Sequence, residues 1–108
     1  AGKLHPWMMQ ELANDLSVEQ LAAHVNMSPR NFARVFLRES GLTPAKFVEK
    51  LRVEAARKYL EDSDLSIEQI AGKCGLGGMV SMRRVFLRHL SVTPSDYRRT
   101  FRSALNPA

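Results

Sequence analysis

Arg30, Arg34 and Arg38 stand four residues apart, and Arg84 and Arg88 repeat that spacing with Arg83 beside them. The pentapeptide RVFLR is written at both 34–38 and 84–88. On a helix, residues four apart lie one above the other, so each set forms a stripe. A guanidinium is always charged and offers a planar fork of donors. It fits phosphate oxygens or the O6/N7 edge of guanine. A solvated helix face also looks like this, so the elements that carry the arginines must decide what they do.

Other chemistry finds little support. His5, His24 and His89 have no ligand-like spacing with one another or with Cys74. There is no glycine-rich phosphate loop after a strand and no nucleophile elbow. Cys74 aligns with Val25 on an apolar stripe and reads as a core thiol rather than a nucleophile. The expectation is a protein that is not an enzyme, with no metal, no cofactor and no catalytic residue. An enzyme using a reactive Cys74 is the rival, and a thiol inert to alkylation in the folded protein would end it.

The charge is unevenly placed. Residues 1–72 carry nine Lys/Arg and ten Asp/Glu, whereas residues 73–108 carry seven Lys/Arg and the single acid Asp96. The formal net charge of +5 therefore arises entirely in the last third. Such a field draws phosphates. No apolar run approaches the roughly 20 residues that span a bilayer. One cysteine forms no internal disulfide, which suits a reducing cytoplasm.

The elements come from a repeat. LSVEQLAAHVN at 16–26 matches LSIEQIAGKCG at 65–75, and RVFLRESGLTPAKFVEKLR at 34–52 matches RVFLRHLSVTPSDYRRTFR at 84–102. Each copy reads as helix, tight turn, helix and the start of a third helix. Ser17 with Gln20, and Ser66 with Gln69, are capping-box signals. Val18, Leu21, Ala22 and Val25 form one apolar face, repeated by Ile67, Ile70, Ala71 and Cys74. Asn26 and Gly75 align at the turn and predict positive φ there. Ser28 and Pro29 open the next helix, which runs to about Glu39 and closes at Ser40-Gly41. Gly77-Gly78 make a weaker start in the second copy. Thr43-Pro44 and Thr93-Pro94 open the third helices.

Residues 5–15 suit a leading helix that packs Trp7, Met8 and Leu12. Residues 44–60 suit one long helix with Phe47, Leu51, Ala55 and Tyr59 on one face. No strand pattern appears, Ala1-Gly2-Lys3 reads as an expression remnant, and the SALNPA tail reads as frayed. The fold class is therefore all-α: two helix-turn-helix lobes, 5–43 and 65–102, joined by a linker helix at 44–60. Together they make a single domain over 1–108.

In this frame the arginines acquire a role. Phe32, Val35 and Phe36, and their counterparts Met82, Val85 and Phe86, hold each second helix onto its lobe. The arginines point the other way, on the helix that enters the major groove in such motifs. A linker of about 17 residues is about 25 Å long. With the flanking helices it can separate two such helices by about 34 Å, one turn of B-DNA. Monomeric binding over two adjacent major-groove segments is the expectation.

These segments, LSVEQLAAHVNMSPRNFARVFLRESGLTPAKFV and DLSIEQIAGKCGLGGMVSMRRVFLRHLSVTPSDYRRTFR, resemble the DNA-binding domain of AraC/XylS-type bacterial transcription regulators from about His5 to Arg102. Among these, the chain is most similar to the subgroup in which this domain follows a class I glutamine-amidotransferase-like domain. The resemblance implies seven helices and sequence-specific binding of double-stranded DNA. It implies base contacts from Arg30, Ala33 and Arg34, and from Met79, Val80, Arg83 and Arg84. Phosphate contacts are expected from Ser28, Asn31, Arg38, Arg88, Arg98, Arg99 and Arg102. Ser91 stands where the family usually has the glycine matching Gly41. The family also implies an N-terminal effector or dimerisation domain, for which this chain has no room. A module acting mainly through RNA polymerase subunits, by way of Glu19, Lys46, Glu49 and Lys50, is the alternative.

Overall fold

The structure is a computed structural model, and it describes residues 4–105. Those residues form seven helices and no strand: α1 (Leu4–Gln10), α2 (Val18–His24), α3 (Pro29–Ser40), α4 (Pro44–Asp62), α5 (Ile67–Lys73), α6 (Met79–Leu90) and α7 (Pro94–Leu105). The chain divides into two compact units, the first ending at Leu51 and the second starting at Arg52, so the boundary falls inside α4.

Both units are assembled from the same local devices. Ser17 Oγ accepts the Gln20 N–H and Ser66 Oγ accepts the Gln69 N–H, starting α2 and α5. Only Ser66 completes the expected box, its own N–H donating to Gln69 Oε1 at 2.9 Å. The Ser17 N–H is instead taken by Asp15 Oδ1, also at 2.9 Å. A nearer carboxylate outcompetes the glutamine amide for the same donor.

The ends of α2 and α5 are also alike. Asn26 holds φ 57° and Gly75 φ 70°, as their alignment predicts. The Met27 N–H reaches back to Ala22 O and the Leu76 N–H to Ala71 O, both at 2.9 Å. The Asn26 and Gly75 N–H groups donate to Ala23 O and Gly72 O. This pairing is the Schellman closure, and it requires a left-handed residue at the corner. Gly41 (φ 79°) ends α3, and Ser91 (φ 59°) adopts the same left-handed state at the end of α6 without being glycine.

The first unit buries Met8, Leu12, Leu16, Leu21, Phe32 and Val48. Phe36 is tilted against Phe32, and its edge meets Phe47 with ring centroids 5.1 Å apart. α1 ends at Gln10, short of the expected 15. The Glu11 N–H still bonds the α1 carbonyls of Trp7 and Met8, but the chain then turns over residues 11–14, ahead of Asp15. Trp7 is only partly buried and stacks on His24, with centroids 4.0 Å apart.

The second unit packs Val53, Ala56 and Leu60 of α4 against Ile70, Ala71, Cys74, Leu76, Met82, Val85 and Phe86. Two sequence expectations need correction here. The buried row of α4 is Val48, Val53, Ala56 and Leu60, not Phe47, Leu51, Ala55 and Tyr59, and Tyr59 is 37% exposed. Arg52 interrupts the buried row and hides it from a periodicity reading. The tail residues Ser103–Leu105 continue α7 rather than fraying. The rest of that tail, like Ala1-Gly2-Lys3, lies outside the described residues.

Inside the second unit, α7 is bolted to the end of α4. Arg98 donates from Nε to Leu60 O (3.1 Å), from Nη1 to Leu65 O (2.7 Å) and from Nη2 to Ser63 O (3.1 Å). Arg102 adds a bond to Ser63 O at 2.6 Å and pairs with Asp64 at 3.1 Å. A helix C-terminus leaves carbonyls without partners and carries partial negative charge, which a cation satisfies. Beside this clamp the Tyr97 hydroxyl donates to the Glu61 carboxylate and accepts from Arg57 Nε. Burial and the bond to Glu61 raise the Tyr97 phenol above its ordinary range.

Candidate nucleic-acid interface

α3 is positioned by its cap and its core face. Ser28 Oγ accepts the Asn31 N–H at 3.2 Å, and Pro29 takes the first helical position. Phe32 is buried, while Val35 and Phe36 are half-buried. Arg30, Arg34 and Arg38 lie exposed on the opposite side, with Ala33 partly covered beside them. Arg34 receives support from within the helix, its Nη2 donating to Asn31 Oδ1. Such a bond orients one edge of the fork and leaves the other available.

α6 repeats the plan with different chemistry. Gly78 occupies the N-cap with no side-chain hydrogen bond, as the paired glycines predict. Its core face is deeper than that of α3, with Met82, Val85 and Phe86 all buried. Its outer face begins with Met79 (52% exposed) and Val80 (76% exposed), followed by exposed Arg83, Arg84 and Arg88. No acid occurs anywhere in α6, and α3 carries only Glu39.

Each second helix lines a groove with the starts of two neighbours in its own unit. In the first, Ala33, Arg34 and Leu37 face Leu16 and Val18 at the start of α2, and Pro44 at the start of α4. In the second, Met79, Val80 and Arg83 face Ile67 of α5 and Pro94 of α7. Thr43 Oγ1 caps α4 by accepting the Lys46 N–H, and Thr93 Oγ1 caps α7 by accepting the Asp96 N–H. Of the sequence-predicted base-contact residues, Ala33 and Arg34 thus share one groove and Met79, Val80 and Arg83 the other, while Arg30 and Arg84 are exposed on the same helices outside those linings.

The predicted phosphate set is less uniform. Ser28, Asn31 and Arg38 sit on or beside α3, and Arg88 sits on α6, all exposed. Arg99 is exposed and paired with Asp96 three residues before it. Arg98 and Arg102 are partly buried, and their guanidinium groups are committed to the α4–α5 turn. Burial and the neighbouring Arg102 lower the Arg98 pKa, as expected for a cation drawn out of water. Sequence reasoning missed this clamp, and it also passed over exposed Leu37 and Leu87.

Cys74 is buried against the second core, and burial pushes its thiol up to about 11. Among the described residues no group of His, Cys, Asp or Glu could hold a metal ion, and no helix is long and apolar enough to cross a membrane.

Residues 21–100 match the helix-turn-helix domain family. The chain also superposes on the DNA-binding domain of AdpA, a global transcriptional factor solved with a target DNA. The TM-score is 0.91 at 34% identity, covering 99% of this chain and 96% of that one. This chain belongs to the AraC-type helix-turn-helix domains. Among curated relatives of this family, an HTH-type transcriptional regulator of Mycobacterium tuberculosis is 43% identical over 84 residues, covering 78% of this chain and 32% of the relative. The transcriptional activator RhaS of Klebsiella pneumoniae is 31% identical over 96 residues, covering 89% and 34%. The C-terminal domain of AraT, a response regulator of Geobacillus stearothermophilus, superposes with a TM-score of 0.85 at 27% identity, covering 92% and 83%. The chain spans about a third of the length of these curated relatives.

Proposed function

We propose that this AraC-type domain binds double-stranded DNA sequence-specifically and regulates transcription in the bacterial cytoplasm. α3 and α6 read two adjacent major-groove segments. The observation that carries this reading is the exposed arginine face on the second helix of both units, free of acids on α6 and opposed by a core face. The likeness to the AdpA domain, solved on DNA, supports it.

In this reading Arg30 and Arg34 pair with guanine O6/N7, and Ala33 offers a methyl contact. Met79 and Val80 bring apolar contacts, with Arg83 and Arg84 beside them. Ser28, Asn31, Arg38, Arg88 and Arg99 approach phosphates, and the committed Arg98 and Arg102 leave that set. The length of the relatives supports an effector or dimerisation domain elsewhere in the full-length regulator.

Selection of bound duplexes from a random pool, followed by gel shifts against non-specific competitor, tests the proposal. Enrichment of a motif with two separated conserved segments is expected, and enrichment of none overturns it. The protein acts without chemistry of its own. Cys74, neutral and buried, should resist alkylation in the folded state at pH 8, and rapid modification there would reopen the enzyme reading.

A further inference from the structure

We infer that Leu37 reads sequence as well, its side chain receiving the 5-methyl group of a thymine next to the base addressed by Arg34; this rests on the DNA-binding reading above. Arg30, Ala33, Arg34 and Leu37 fall at i, i+3, i+4 and i+7, one stripe of α3. That stripe lies opposite Phe32, Val35 and Phe36. Leu37 is 48% exposed on it, and Leu87, in the same place in the repeat, is 40% exposed. A single exposed leucine is ordinary. This one lies among the arginines, in a groove with Ala33, Val18 and Pro44 that no acid lines.

The occupant of such a surface must be anionic at its margins and apolar at a point between them. Duplex DNA meets both demands. Its phosphates flank the major groove, and the thymine methyl is the apolar group among the base edges there. Ala33 offers only a single methyl group to it, and Leu37, one turn further along, extends the same apolar strip. In the second unit Arg83 stands where Ala33 does, so Leu87 lacks this apolar neighbour and the inference is confined to Leu37.

The test uses the selected duplex, with each thymine replaced in turn by deoxyuridine, which removes only the methyl group. With the unaltered protein, one replacement beside the Arg34-dependent base pair should weaken binding about three- to fivefold, the worth of one buried methyl group. Leu37→Ala should bind the thymine and deoxyuridine duplexes equally. Leu37→Met, which keeps an apolar side chain of similar length, should retain the difference. Thermal unfolding verifies that both variants fold. A deoxyuridine scan without effect in that half of the site overturns the inference, as does an effect that persists in Leu37→Ala. If no duplex is held over competitor, the DNA-binding reading itself has failed, which is a different result.

Discussion

At the scale of the residue, arginines that look alike in sequence have different employment. Arg34 is exposed on the outer stripe of α3 with one edge steadied by Asn31. Arg98 is partly buried and donates to the carbonyls of Leu60, Ser63 and Leu65. Arg34→Ala should therefore relax preference at one or two base pairs, costing about 1–3 kcal/mol on the best site and little on others. Affinities on the selected site and its single-base variants measure this, and a uniform loss on every sequence would contradict it. Arg98→Ala should instead lower folding stability by about 2 kcal/mol, the scale for hydrogen bonds made by a charged donor. Its salt slope of DNA binding should stay as it was. Arg98→Lys should not rescue it, because a compact ammonium cannot span three separated carbonyls. Denaturant unfolding and a salt titration of both variants decide; unchanged stability with a shallower slope would return Arg98 to the phosphate set. The stripe at 30, 34 and 38 was legible because its spacing is written in residue types. The Arg98 clamp was not, since its partners are backbone carbonyls, which any residue supplies and no letter marks.

At the scale of the element, internal repetition made the corners readable. Asn26 and Gly75 share little beyond tolerance of positive φ, and the structure places both there, each closing its helix with the same pair of backbone bonds. Asn26→Gly should thus be nearly neutral, the relief of left-handed strain offsetting the extra unfolded-state entropy of glycine. Gly75→Val should cost about 1–2 kcal/mol, because a β-branched side chain meets the following carbonyl in that conformation. Chemical denaturation of the two variants checks the pair, and equal, negligible effects would mean that the corner tolerates any residue. The long helix was harder to read. α4 has apolar residues in two overlapping rows, and only packing chooses between them. The row of larger side chains, Phe47, Leu51, Ala55 and Tyr59, is the more conspicuous in sequence. The row that is buried contains Arg52 and the small Ala56, so it signals weakly although it fills the cores.

At the scale of the whole molecule, charge and family membership agree, yet the charge count alone overstates the DNA-facing surface. The last third holds seven Lys/Arg against one acid. Of these, Arg98 and Arg102 serve the α4–α5 turn, and Arg99 shares its charge with Asp96. The basic excess is thus partly structural, and fewer phosphates are neutralised than the composition invites one to count. Each neutralised phosphate contributes about 0.9 to the slope of log affinity against log salt. With about four to six engaged, affinity for the best site should fall by about 10²- to 10³-fold between 50 and 200 mM salt. Binding to unrelated duplexes should fall with a similar slope, since phosphate contacts carry no sequence information. Fluorescence anisotropy with labelled specific and scrambled duplexes across that range gives both slopes. A salt-independent affinity would remove the electrostatic half of the proposal. A loss steeper by about two phosphates' worth would show that Arg98 and Arg102 leave their carbonyls on binding and join the DNA contact after all.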